Sequence, residues 1–282
     1  MKLTFLGTGT PEPYLRRASS GYLIEHGADR ILFDCGGGVF DRLLQAGHLP
    51  QNITHLVFSH LHSDHMMDYA RLVHAAWDAR GVPLKVFGPA PMARITEQLF
   101  GRDGVFGDDL RARTQTEPSQ QIWLARGGTL PRRWPTPEVV EIAPGDTIAE
   151  PGWKLTAVEV PHAQPALICL GLRLEAGDKV FAYSGDAALC DGMKQLAADA
   201  DLLLHWCYRM DGEALHPALD PMAPTPGQIA AMANAVGVKR LRLTHIRPHM
   251  DQPGHHQAML AAARQVFDGD LAIAEDLDQI TL

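Results

Sequence analysis

Cysteine is scarce and scattered in this chain: four thiols, Cys35, Cys169, Cys190 and Cys207, among 282 residues, with no CxxC spacing. That excludes a disulfide framework and offers no thiolate zinc site. Long hydrophobic runs are also missing. Nothing reaches the roughly 18 consecutive apolar residues that would span a bilayer, and Met1–Gly9 turns to glycine and threonine before a signal-peptide core could form. A cytoplasmic protein with no membrane attachment is therefore expected. Positive charge is in deficit, the formal net charge being −8, so global attraction to a phosphate backbone is lacking and nucleic acid is a disfavoured partner. What is plentiful is histidine, 14 residues, together with 46% hydrophobic residues, enough for one large core. No linker divides the chain, so a single domain over 1–282 is expected.

The first strand reads from Lys2 to Leu6 and stops at Gly7-Thr8-Gly9-Thr10-Pro11, where small residues admit close backbone approach. Gly21–Glu25 and Arg30–Asp34, separated by His26-Gly27-Ala28-Asp29, read as a hairpin. Helical spacing covers Val39–Ala46 and Met66–Arg80, and apolar strand runs cover Thr54–Ser59 and Leu84–Phe87. From Gly101 to Pro137 the pattern breaks into Gly, Pro, Arg and Asp with isolated Phe106, Trp123 and Trp134, which reads as an insertion or lid at about 101–137. Strands follow at Lys154–Val160, Ile168–Leu174, Val180–Ser184, Leu202–His205 and Arg240–Thr244. Pro226–Val236 reads as a helix capped by Thr225, and Gln257–Phe267 as a last helix. Strands alternating with helices in both halves imply an α/β fold, two sheets packed together with helices outside.

The chemistry concentrates in His60-Leu61-His62-Ser63-Asp64-His65, which places four imidazole or carboxylate groups within six residues directly after a strand. Zinc takes such donors, and a catalytic zinc keeps a position open for water. Further donors sit at other strand ends: His162 after Val158-Glu159-Val160-Pro161, Asp186 after Tyr183-Ser184-Gly185, and His245 after Leu243-Thr244. One lone histidine would be better read as a surface or capping residue. Seven such groups, each at a strand end, point instead to a metal centre.

Phe5-Leu6-Gly7-Thr8-Gly9, the HxHxDH run, His162, Ser184-Gly185-Asp186 and Thr244-His245 together resemble the metallo-β-lactamase fold superfamily, in the branch of ribonuclease Z and zinc arylsulfatases. The resemblance covers nearly the whole chain. It implies a four-layer αββα sandwich and two zinc ions, with manganese or iron as alternatives. It places His60, His62 and His162 on one ion, Asp64, His65 and His245 on the other, and Asp186 between them. It also implies a homodimer. Two such ions can share a hydroxide and polarise the bond under attack, with Asp64 orienting that hydroxide. Asp34, in Phe33-Asp34-Cys35-Gly36, resembles a family position just outside the metals, and reads equally as a turn residue.

Two departures bear on substrate. The family's ribonucleases follow the aspartate ligand with a His-Glu-Ala-Thr segment and later a His-Ser-Thr segment. Here Leu203-Leu204-His205-Trp206-Cys207 keeps the histidine and replaces the glutamate with Trp206, and Ala223-Pro224-Thr225 puts Ala223 where the second histidine belongs. An RNA leaving group needs a general acid, worth about 10²- to 10⁴-fold. The reading from sequence is therefore a dinuclear hydrolase of a small ester, lactone or sulfate, on an aromatic or anionic small molecule, with His205 (or His216 or His249) as a candidate catalytic acid beside Asp64. A ribonuclease Z-like tRNA 3′ endonuclease is the alternative, and a non-catalytic metal-binding scaffold the second.

Overall fold

The computed structural model describes residues 1–282. Its strands form two seven-stranded sheets. The first contains β1 (Lys2–Gly7), β2 (Gly21–His26), β3 (Asp29–Phe33), β4 (His55–Val57), β5 (Lys85–Gly88) and β6 (Glu138–Glu141). The second is built from β7 (Thr147–Glu150), β8 (Trp153–Glu159), β9 (Leu170–Ala176), β10 (Lys179–Tyr183), β11 (Leu202–Trp206), β12 (Arg240–Thr244) and β13 (Asp270–Ile273). The chain then returns to the first sheet, where β14 (Gln279–Thr281) pairs with β1.

Alternation along the strands explains the layers. Leu3 and Phe5, Tyr22 and Ile24, Ile31 and Phe33 point into one cluster with Leu172, Phe181, Tyr183, Leu202 and Leu204 of the opposite sheet. Residues of opposite phase, Leu6, Leu23 and Leu32, point the other way, toward helices α1 (Val39–Gln45) and α3 (Tyr69–Asp78). Ala182, Leu203 and Leu241 likewise face α8 (Pro226–Ala235) and α9 (His255–Arg264). Strands covered on both faces must be apolar on both, which is why these segments read as continuous hydrophobic runs rather than alternating ones. The result is the expected four-layer αββα arrangement. No helix is long and apolar enough to cross a membrane.

Several boundaries differ from the sequence reading. The helix expected over 66–80 is two pieces, α2 (Ser63–Met66) and then α3, so Asp64 and His65 sit on a short helix and not on a loop. The segment expected to be irregular holds α5 (Gly107–Gln115) and α6 (Glu117–Ala125), after α4 (Met92–Phe100). Only Gly107, Leu110 and Thr114 of α5 are buried, so it lacks the apolar stripe that would have announced it. This segment is held to α3 by Arg132, whose guanidinium lies 3.8 Å from the Trp77 ring centre and 4.2 Å from that of Trp123, and which pairs with Asp78 at 2.6 Å. Trp123 and Trp134 also donate to the backbone carbonyls of Thr129 and Phe100. α7 (Asp191–Ala197) and the exposed edge strands β6, β7 and β14 carried no clear signal.

His205, expected as a candidate acid, needs a correction. It is fully buried on the face of β11 that carries Leu203 and Cys207 into the helix-side core. Its Nδ1 lies 2.8 Å from the Trp206 carbonyl oxygen, and its Nε2 has no partner. Burial pushes its pKa down to about 4. An imidazole that reaches no solvent and is uncharged at neutral pH is unsuited to protonating a leaving group. Its role is in the pH profile of stability. The unfolded chain takes up a proton near pH 6.5 that the folded chain refuses until about pH 4, so this group favours the folded state less as pH falls through that window. In urea unfolding of metal-free protein, His205→Gln is expected to remove about 2 kcal/mol of the stability lost between pH 7 and pH 5. An unchanged slope would mean that the buried ring already carries its proton.

Candidate metal centre

The donor residues arrive at one edge of the sandwich because their strands run the same way. β3, β4, β5 and β6 are parallel neighbours, as are β10, β11, β12 and β13, and a crevice beyond the carboxyl ends of such strands is where α/β sheets place their sites. His60 follows β4, His162 follows β8, Asp186 follows β10 and His245 follows β12. Two close approaches let the sheets meet there. The amide of Leu170 donates to the Ser59 carbonyl, and Gly185, at φ +56°, leaves no room for a β-carbon beside the Leu170 carbonyl. Gly36 similarly lies against the backbone of Asp64, where a β-carbon would collide with the carbonyl.

The structure brings all seven expected residues together, in two groups. His60, His62 and His162 form one, and Asp64, His65, Asp186 and His245 the other, with the donor atoms of each group within 4.8 Å of one another. In the first, His60 Nε2 lies 3.0 Å from His62 Nδ1, which lies 3.3 Å from His162 Nε2. In the second, His245 Nε2 is 3.2 Å from both Asp64 Oδ2 and Asp186 Oδ2. His65 Nε2 is 3.5 Å from Asp64 and 3.4 Å from Asp186. Asp186 also approaches the first group, 3.7 Å from His162 Nε2. The four-residue group is buried throughout, whereas His62 and His162 are partly exposed and mark the open side.

The donor set fits divalent metal. Nitrogen and carboxylate oxygen in groups of three and four are what zinc takes, and the buried Nε2 of His65 has no hydrogen-bond partner of its own. Electrostatics agree. Burial opposes a charge on Asp186, yet His245 and His65 beside it outweigh burial and hold its carboxyl well below the usual carboxylate range. Burial likewise opposes charge on Asp64 but loses to the hydrogen bond from His245. Burial, helped by the neighbouring His65, drives the pKa of His60 well down, leaving the neutral ring that a metal requires. Burial acts against protonation of His65 too, but Asp186 and Asp34 raise its pKa well above the ordinary value, so its proton and a cation would compete.

Asp34 organises these rings. It is fully buried, and its carboxylate accepts from the Ser59 amide, the Ser59 hydroxyl, His65 Nδ1 and the Tyr183 hydroxyl, each at 2.8 Å. Having given its proton to Asp34, the Ser59 oxygen can accept from His60 Nδ1 at 3.1 Å. In both His60 and His65 a proton is thereby fixed on Nδ1, which leaves Nε2 as the nitrogen turned to the centre. The sequence reading left Asp34 undecided and missed Ser59 and Tyr183. Adjacency was the available signal, since Ser59 precedes His60 directly and Tyr183 stands three residues before Asp186.

Around the open side, the Trp206 ring lies 5.7 Å from that of His162 and stacks on Tyr208 at 5.3 Å. The Arg247 guanidinium lies 4.6 Å from the Tyr208 ring centre and reaches Glu213 at 3.3 Å; Glu213 in turn meets His249 Nε2 at 3.2 Å. Ala223 is buried, and Thr225 caps α8 as expected, with Gln228 completing a capping box.

The family model for the beta-lactamase superfamily domain matches residues 29–246. The chain is 30% identical to a ribonuclease Z of Mycobacterium sp. (strain KMS) over 288 residues, covering 99% of this chain and 95% of that one. Among solved structures, the metallo-beta-lactamase fold protein YhfI from Bacillus subtilis superposes with a TM-score of 0.75 at 20% identity, covering 99% of this chain and 98% of that one. Human tRNase Z, short form, gives 0.69 at 21%, covering 100% and 99%. These relatives overturn the expectation that nucleic acid is a disfavoured partner and a small molecule the favoured one. The disfavour toward nucleic acid rested on whole-chain charge, and the preference for a small molecule on Trp206 and Ala223 at the two family positions; neither describes the whole reacting centre. With its ligand residues on the strand ends of an αββα sandwich, the chain belongs to the beta-lactamase superfamily, in the ribonuclease Z branch, and is a metal-dependent hydrolase.

Proposed function

We propose that the protein is a dinuclear zinc phosphodiesterase that cleaves RNA, acting as a ribonuclease Z-like endonuclease at the 3′ side of tRNA precursors. The observation that carries this reading is the pairing of two ligand groups through Asp186, in a chain alike along nearly its full length to ribonuclease Z. Two cations held there would supply a water ionised near neutral pH and positive charge against the scissile phosphodiester. His60, His62 and His162 would hold one cation and Asp64, His65 and His245 the other, with Asp186 near both groups. Asp34 and Ser59 keep Nε2 of His60 and of His65 aimed inward, and Asp64, bonded to His245, would orient the attacking water.

A proton must still reach the leaving oxygen. With Trp206 and Ala223 at the two family positions and His205 enclosed, the remaining candidates are His216, an exposed ring that accepts from the Ala218 amide, and the donor we choose, His249, four residues beyond His245. It is 41% exposed and held by Glu213, and Arg247 ties that carboxylate to Tyr208 at the rim. A histidine held in place by a carboxylate can serve as a general acid. The loop after β12 would thus supply what the loops after β11 and before α8 have lost.

Zinc-loaded protein should release the 3′ trailer from an unprocessed tRNA and leave p-nitrophenyl acetate and p-nitrophenyl sulfate largely intact; turnover of either ester without RNA cleavage would sink the reading. His249→Ala is expected to lower kcat on tRNA by about 10²-fold at unchanged metal content. Asp34→Asn keeps a residue that tolerates the positive φ of this position (55°) but turns a donor toward Ser59 and His65. Chelator competition should then show metal affinity falling by about 10- to 100-fold.

A further inference from the structure

Within the four-residue group, two histidines face the metal position through Nε2, and the structure treats their outer nitrogens in opposite ways. His65 Nδ1 meets a carboxylate, Asp34, at 2.8 Å. His245 Nδ1 meets the indole N–H of Trp206 at 3.0 Å. An indole nitrogen can only donate. His245 Nδ1 must therefore present a lone pair, its single proton lies on Nε2, and that proton points at Asp64 and Asp186, both 3.2 Å away. This is the tautomer opposite to the one a metal needs. An imidazole that gives its Nε2 lone pair to a cation carries its proton on Nδ1, where it would confront the Trp206 N–H with no acceptor between them.

The arrangement is built in rather than incidental. Trp206 is 5% exposed and clamped between the stacked ring of Tyr208 and the edge of His162, and its backbone amide is bonded to the Ser184 hydroxyl. His245 is fixed at φ +64°, a conformation a histidine rarely adopts. Neither ring can turn away without disturbing these contacts.

We propose that Trp206 is a positioning residue that weakens His245 as a metal ligand, so that the Asp64–His65–Asp186–His245 pocket binds its cation below the strength its four donors would give. Occupancy of that pocket, and with it the dinuclear state, then follows the supply of free metal. The inference rests on the dinuclear reading above and concerns only the grip of one of its two positions.

The test is zinc titration of metal-free protein in a chelator buffer, which reads binding without activity. Trp206→Phe keeps an aromatic ring and removes the donor; it should tighten one of the two affinities by about tenfold. The same substitution in a His245→Ala background should change neither. The proposal is overturned if Trp206→Phe leaves both affinities alone, or if its effect persists without His245. A second measurement needs no variant. Nitrogen-15 NMR of histidine-labelled, metal-free protein should find the His245 proton on Nε2, and a proton on Nδ1 would refute the proposal directly. Failure to bind two zinc ions at all would instead strike the dinuclear reading, which separates the two.

Discussion

One carboxylate sets the geometry on which the centre depends. Asp34 stands just beyond β3 and gathers donors from the end of β4 (Ser59), from α2 (His65) and from β10 in the opposite sheet (Tyr183). A buried carboxylate is tolerated only when its lone pairs are taken up, and here four donors do so at hydrogen-bond distance. The network consequently ties the two sheets at the edge where the metal residues emerge, and it fixes the tautomer of two ligands at once. Because Ser59 both donates to Asp34 and sits within reach of His60 Nδ1, the two ligand groups share a support. Buried networks of this kind are sensitive to the loss of any member, since each remaining donor is then left unpaired in a low dielectric.

The metal edge also carries backbone strain. Asp34 and His245 have φ of +55° and +64°, and each such residue costs about 1–2 kcal/mol relative to an ordinary conformation. The hydrogen bonds of Asp34, and for His245 those to Asp64 and Trp206, hold them there. The charge balance is of the same kind. Without a cation, the protonated His65 and the Nε2 proton of His245 face Asp64 and Asp186 across distances of 3.2 to 3.5 Å. A divalent ion entering the pocket takes over that neutralisation. The folded apoprotein therefore already holds the carboxylates ionised and close together, a preorganisation that would otherwise have to be supplied by the binding step.

Much of this was legible in the sequence because it follows from periodicity and position. The core strands showed as apolar runs since both faces of each are covered, and the ligand residues stood out as His and Asp at the ends of those runs. The hairpin of β2 and β3 was readable from its Gly27 turn. α5 and α6 were not, because neither carries a broad apolar stripe: Gly107, Leu110 and Thr114 are the buried residues of α5, and Trp123 that of α6. Edge strands such as β6, in which Glu138, Val140 and Glu141 are exposed, carry too little hydrophobic pattern to announce themselves. His205 was misjudged for a related reason: sequence places it at a strand end beside the other histidines, but the alternation along β11 turns it into the core.

The substrate class was misread through a different error, that of letting an average stand for a site. A net charge of −8 is a property of the whole surface, and arginines that might have offset it locally are spoken for. Arg111 and Arg113 pair with Asp108 and Asp109 on their own helix, and Arg126 and Arg132 with Asp78. The loss of the glutamate and histidine at positions 206 and 223 was taken as the loss of acid chemistry itself. Yet the fold presents several loops to one centre, so a proton donor absent from two of them can stand on a third. In the proposed reading His249, held by Glu213, takes such a place, while Trp206 contacts His245. The ligand set constrains which reactions are open, while the loops around it are exchangeable in which of them supplies the proton. A reading built on one missing pair of side chains therefore has less force than one built on the whole set of strand-end donors.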